Sequence, residues 1–122
     1  MEDKKMLEVA VKAADSKRAE DIVALDLEGI SFIADAYLIA QAPTERQVIA
    51  IADEIDNQMA KAGYELTRQE GRQAGQWVLL DYGDLIVHIF KGEVRRHYNL
   101  EKLWGDASEI DLSAWIDNED AN

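Results

Sequence analysis

The stretch from Trp77 to Phe90 constrains this chain more than any other, because it reads as two strands joined by a tight turn. The runs Trp77 to Asp81 and Leu85 to Phe90 flank Tyr82, Gly83 and Asp84, where glycine supplies backbone geometry that other residues resist. In the first run Trp77, Leu79 and Asp81 share one side of the pleat, and Val78, Leu80 and Tyr82 share the other. Both sides are apolar. One must pack on helices of this chain, and the other, carrying Trp77 and Leu79, needs cover from this chain or from another.

Upstream, the periodicity alternates between helical and strand types, without repeats or linkers. Met6, Ala10, Ala13 and Ala14, widened by Leu7 and Val11, predict a helix over Asp3 to Lys17. A strand is expected near Ile22 to Leu27, a short turn at Ile30 to Ala36, and a second strand at Tyr37 to Gln41 that enters a loop at Pro43. Thr44 followed by Gln47 is a capping-box pattern, and Val48, Ile51, Ala52, Ile55, Met59 and Ala62 then share one helical face. Gly63 stands where that helix should stop. Tyr64 to Gln69 reads as a third strand, Gly71 to Gly75 as a flexible connection, and Leu100 to Trp104 as a short helical turn. The expected fold is α/β of the α+β kind: a single mixed β-sheet flanked by helices, in one domain over residues 1–106, with an acidic tail over 107–122.

With 122 residues the chain can bury a core without staples, and it has no cysteine for a disulfide or thiolate site. The amino-terminal run has mixed charges, no leader-like apolar core precedes the fold, and no later stretch is long enough to cross a bilayer, so a cytoplasmic location is expected. The net charge of -12 repels phosphate backbones and anionic lipid, which argues against direct nucleic-acid binding and against membrane binding. Glu109, Asp111, Asp117, Glu119 and Asp120 make the tail a solvated segment or a surface that steers a basic protein partner. Arg95 and Arg96 form a small basic patch whose ordinary role is pairing with nearby carboxylates.

The run WVLLDYGDLIVHIFKGEVRRHYNLEKLWGDA, together with KRAEDIVALDLEGISFIADAYLIAQAPTERQVIAIADEI upstream, resembles the Iojap family, whose bacterial members are called ribosomal silencing factors. The likeness covers roughly Ala10 to Ala107. It implies a nucleotidyltransferase-like fold, binding to the large ribosomal subunit through the ribosomal protein numbered fourteen, and obstruction of small-subunit joining. By the same resemblance the partner contact falls on Trp77 and Leu79, with Asp81, Tyr82, Asp84, His88, Tyr98 and Asn99 as weaker members of the neighbourhood. Against this stands the ordinary reading of each residue. Trp77 also suits a sheet core, His88 is more often a satisfied structural histidine, and Tyr98 and Trp104 also suit anchoring of the last helix to the sheet.

A nucleotidyltransferase-like fold raises the question of catalysis, which needs paired carboxylates for divalent metal and an element to receive a triphosphate. Asp81 and Asp84 are the only tempting pair, and their spacing across a turn does not put both on one face of a strand. No GxxxxGK[ST] loop is present, and His88 and His97 lack partners at metal-ligand spacing. No cofactor, no metal and no enzymatic activity are expected. A homodimer formed through the apolar sheet face or the hairpin edge is a further expectation, compatible with ribosome binding.

Overall fold

The computed structural model describes residues 4–99, 102 and 105–116. Its elements follow the order α1 (Lys4–Ser16), β1 (Glu20–Asp26), β2 (Ala36–Ala42), α2 (Glu45–Lys61), β3 (Arg68–Glu70), β4 (Trp77–Asp81), β5 (Leu85–Lys91), α3 (Gly92–Tyr98) and β6 (Ser108–Ile110). The strands form one six-stranded sheet in the order β3-β4-β5-β2-β1-β6. Its centre is the parallel pairing of β2 with β5, and the remaining neighbours pair antiparallel. The expected single mixed sheet with flanking helices is therefore the architecture of this chain.

Helices α1 and α2 cover one face. Leu7, Ala10, Val11 and Ala14 of α1 and Val48, Ile51, Ile55 and Met59 of α2 are fully buried against Leu38, Ala40, Val78, Leu80, Val87 and Ile89 of the sheet. The start and stop of α2 follow from local chemistry. The Gln47 N–H donates to Thr44 Oγ1 at 3.2 Å, as the capping pattern predicts. At the other end Gly63 adopts φ +91°, its N–H donates to the Ala60 carbonyl, and the Tyr64 N–H donates back to the Met59 carbonyl. That pair of bonds is the Schellman arrangement, for which glycine carries no Cβ penalty.

Several expectations shift. The third strand begins later and is shorter, because Tyr64 and Leu66 pack against the core from an irregular connection before Arg68–Glu70 pairs with β4. β3 thus covers β4, so the hairpin does not offer a free edge. The new edge is short, fully exposed and charged, which discourages edge-to-edge pairing. The connection 71–75 is not loose: Arg72 binds Asp53 of α2 through two hydrogen bonds of 2.7 and 2.6 Å, and Gln76 donates to Glu45. Helix α3 lies earlier than the expected helical turn, of which residues 100, 101, 103 and 104 lie outside the described residues. The segment after Ala107 is more than a solvated tail, since Ser108–Ile110 pairs antiparallel with β1 and Leu112 is buried in the core. Trp115 and Ile116 pack against the same cluster, while residues 117–122, with the remaining tail carboxylates, lie outside the described residues.

Two substitutions probe these local contacts. Thr44→Ala removes the acceptor at the start of α2 and should lower stability by about 1 kcal/mol in denaturant titration; no change would mean that the cap is idle. Gly71 has φ +81°, and a Cβ there would lie 1.9 Å from the Trp77 carbonyl oxygen. Gly71→Ala should therefore cost roughly 2 kcal/mol or more and displace the start of β4 in amide spectra, whereas a silent substitution would contradict the packing described.

Candidate functional site

Among the described residues no long helix covers the second face of the sheet. Strand alternation places Trp77, Leu79 and Asp81 of β4 there, beside Ile86, His88 and Phe90 of β5 and Tyr37, Ile39 and Gln41 of β2. The register sets these side chains in rows across the strands: Trp77 opposite Phe90, Leu79 opposite His88 and then Ile39, Asp81 opposite Ile86 and then Tyr37. A small cluster of Leu25, Leu27, Ile39 and Phe90 is buried, with Val23, Tyr37, Trp77, Val94 and Ala107 packed on it half-buried. Helix α3 contributes Val94 to this cover and ends with Asn99, which adopts φ 48° and returns its N–H to the Arg95 carbonyl.

Trp77 is held by its neighbours. Its indole Nε1–H donates to His88 Nδ1 at 3.0 Å, and its ring lies 4.9 Å from the Phe90 ring centroid at an interplanar angle of 30°. Tyr37 meets the other side of His88 edge-on at 4.7 Å. His88 itself is 4% exposed, and burial pushes its pKa down to about 4, so at neutral pH the imidazole is uncharged and Nδ1 is free to accept. Since Nδ1 accepts, the ring proton resides on Nε2, which has no hydrogen-bond partner among the described residues. His88 is thus a support beneath the surface that fixes the indole. Trp77 and Leu79 both remain partly open, and with Glu70 and Gly71 they line a shallow depression of about 240 Å³. Uncovered nonpolar area therefore remains beside them.

The other expected site residues separate. Tyr82 lies on the opposite, helix-covered side, buried, with its hydroxyl donating to Asp56 of α2 at 2.9 Å. Burial first, and the Asp56 hydrogen bond second, push its phenol pKa up. Asp81 is engaged within the chain: its Oδ1 accepts from the Gly83 N–H at 2.8 Å, and its Oδ2 lies 3.7 Å from Arg68 Nε, which also binds Glu70 through Nη1 on the same guanidinium. Asp84 is exposed at the turn, and its carbonyl receives the N–H groups of Asp35 and Ala36. Asn99 is exposed at the end of α3, away from the turn, while the Tyr98 side chain lies outside the described residues. No grouping of His, Asp or Glu able to hold a metal occurs among the described residues.

The sequence did not point to Tyr37 on this face, and it gave Arg95 the ordinary role of pairing with carboxylates. Tyr37 sits in a strand whose apolar run concealed which positions share the open face. Arg95 is buried, donating from Nη1 to the Asp21 carbonyl at 2.6 Å and to Gln41 Oε1 at 3.1 Å. Those bonds tie α3 to β1 and β2 and hold Asp21 in its left-handed conformation, φ 49°.

The burial of His88 has a consequence for stability. Its folded pKa lies below the unfolded value near 6.5, so the neutral ring's contribution is complete above that value and is lost as pH falls toward 4. The protein should lose about 2 kcal/mol of unfolding free energy between pH 7 and pH 5 from this group, and His88→Leu should flatten that part of the curve. Equal slopes for the two proteins would contradict the assignment.

Comparison with known proteins places this architecture. The family model described as "Ribosomal silencing factor during starvation" matches residues 1–122. The chain is 50% identical over 112 residues to the ribosomal silencing factor RsfS of Bacillus subtilis, covering 92% of this chain and 95% of that protein. It is 31% identical over 101 residues to the chloroplastic protein Iojap of Zea mays, covering 83% of this chain and 44% of that longer protein. A crystal structure from Bacillus halodurans superposes with a TM-score of 0.81 at 43% identity, covering 90% of this chain and 100% of that one. Another from Chromobacterium violaceum gives a TM-score of 0.83 at 32% identity, covering 86% and 88%. On the sequence match along its whole length and the shared fold, this chain belongs to the ribosomal silencing factor (RsfS) family.

Proposed function

We propose that this chain binds the large ribosomal subunit through the ribosomal protein numbered fourteen and blocks joining of the small subunit by occupying space, acting in the cytoplasm without catalysis. The observation that carries the reading is the partly open sheet face, where Trp77 and Leu79 stand beside an apolar depression and the indole is fixed from below by His88. A rigid aromatic anchor in a small apolar patch is the kind of group that concentrates binding energy when it is desolvated by a partner. An interface of about 1,600 Å² would suffice for a specific complex. The net charge of -12 directs such a factor away from RNA and toward a basic protein, mainly by speeding encounter and rejecting wrong partners. Once bound, a domain lodged between two bodies needs no chemistry to keep them apart. The name of the bacterial relatives, ribosomal silencing factor, agrees with a regulatory role.

The decisive experiment sediments purified subunits with and without this protein. The expected result is cosedimentation with the large subunit and a fall in joined particles; cosedimentation with the small subunit alone would overturn the reading. Trp77→Ala, correctly folded, should weaken large-subunit binding by about 2 kcal/mol or more, and retained affinity would remove Trp77 from the interface.

A further inference from the structure

The connection between β1 and β2 exposes large apolar side chains that nothing in the fold requires to be outside. Phe32 is fully exposed and Ile33 is 71% exposed, with Ile30 beside them at 42%. The backbone beneath is well fastened. The Leu27 N–H donates to the Asp35 carbonyl at 2.8 Å, the Ile30 and Ser31 N–H groups both reach the Leu27 carbonyl at 2.9 Å, and the Ile33 N–H reaches Ser31 Oγ at 3.1 Å. Ala34 is buried at the base. The result is a built protrusion with apolar tips, and contiguous exposed apolar groups on a small protein mark contact sites more often than accidents.

Its position relates it to the open face. The Asp35 and Ala36 N–H groups donate to the Asp84 carbonyl, so the protrusion abuts the β4–β5 turn. That is the end of the sheet where Tyr37, Ile86 and Asp81 form the last row of the second face. Carboxylates flank the protrusion in sequence and at the turn it abuts: Asp26 at the end of β1, exposed Glu28 and half-buried Asp35 on the connection, and exposed Asp84 on the turn. Between Arg18 and Arg46 the chain has no lysine or arginine, and Arg68, whose strand pairs with β4 at Asp81, is engaged with Glu70 and Asp81. Two copies meeting through this patch would oppose like charges, and an anionic membrane would repel it. A cationic protein surface with an apolar recess fits both its charge and its shape.

We propose that the Ile30–Ile33 protrusion is a second lobe of the docking surface, inserting Phe32 and Ile33 into an apolar recess on a cationic protein while the flanking carboxylates meet its positive rim. This rests on the reading of the Trp77–Leu79 face as the large-subunit docking surface. The test measures binding of the full chain to purified large subunits at two salt concentrations. Phe32→Ser/Ile33→Ser should leave the unfolding midpoint unchanged and weaken binding at least tenfold. Glu28→Lys should slow association several-fold at low salt, with the effect shrinking as salt rises. Glu20→Lys makes the same charge change at the far end of β1, about 20 Å away by strand rise. That exceeds the screening length of about 8 Å at physiological salt, so it should leave association nearly unchanged.

If the Phe32→Ser/Ile33→Ser protein binds normally while Trp77→Ala does not, the second lobe is overturned and the docking face stands. If the unaltered chain fails to bind large subunits, both are overturned. Equal slowing by Glu20→Lys and Glu28→Lys would reduce the carboxylate rim to net charge and overturn its local role. A concentration-dependent dimer that Phe32→Ser/Ile33→Ser converts to monomer would assign the protrusion to self-association and likewise overturn the proposal.

Discussion

Strand β5 is buried from Leu85 through Phe90, and a strand that is apolar on both sides must be covered on both sides. Its parallel pairing with β2 puts this demand at the centre of the sheet. On one side α1 and α2 meet it with aliphatic side chains. On the other side the cover is thin: Val94 from α3, Ala107 beyond it, and the rings of Trp77 and Tyr37. Phe90 and His88 are dry because Trp77 lies over them. The same indole therefore closes this chain's smaller core and remains partly exposed, so the proposed docking face is a consequence of how the sheet is sealed.

That dual duty explains the histidine. An apolar residue at position 88 would pack against Tyr37 and Phe90, yet it would give the indole N–H no acceptor. A buried imidazole kept neutral by desolvation supplies that acceptor and orients the ring. Rigid aromatic anchors lose little freedom on binding, so an indole already fixed in the free protein contributes more of its burial to affinity. Gly71 belongs to the same device, because only a residue without Cβ lets the preceding connection run against the Trp77 carbonyl.

Features determined by neighbours in sequence were legible before the structure: the hairpin, the Thr44 cap, the Gly63 stop, and the alternation that put Trp77 and Leu79 together and Tyr82 on the other side. What escaped is what long-range contacts decide. The helix Gly92–Tyr98 is short, and Arg95 anchors it to the backbone and a side chain of strands distant in sequence. β6 opens an acidic stretch, with Glu109 inside it, that resembles a tail until β1 offers it a ladder. Grouping His88 and Tyr82 with surface contacts followed from resemblance, while their burial follows from packing. The protrusion at Phe32 was hidden by the ordinary expectation that apolar residues go inside.

In the proposed complex the side of the sheet bearing Trp77 and Leu79 is the side that meets the large subunit. An electron cryomicroscopy reconstruction of this chain bound to purified large subunits tests it most directly. The expected result is that side of the sheet pressed against a basic ribosomal protein on the surface where the small subunit joins, with the indole covered. A bound chain whose Trp77 side faces solvent, or one seated away from the joining surface, would contradict it.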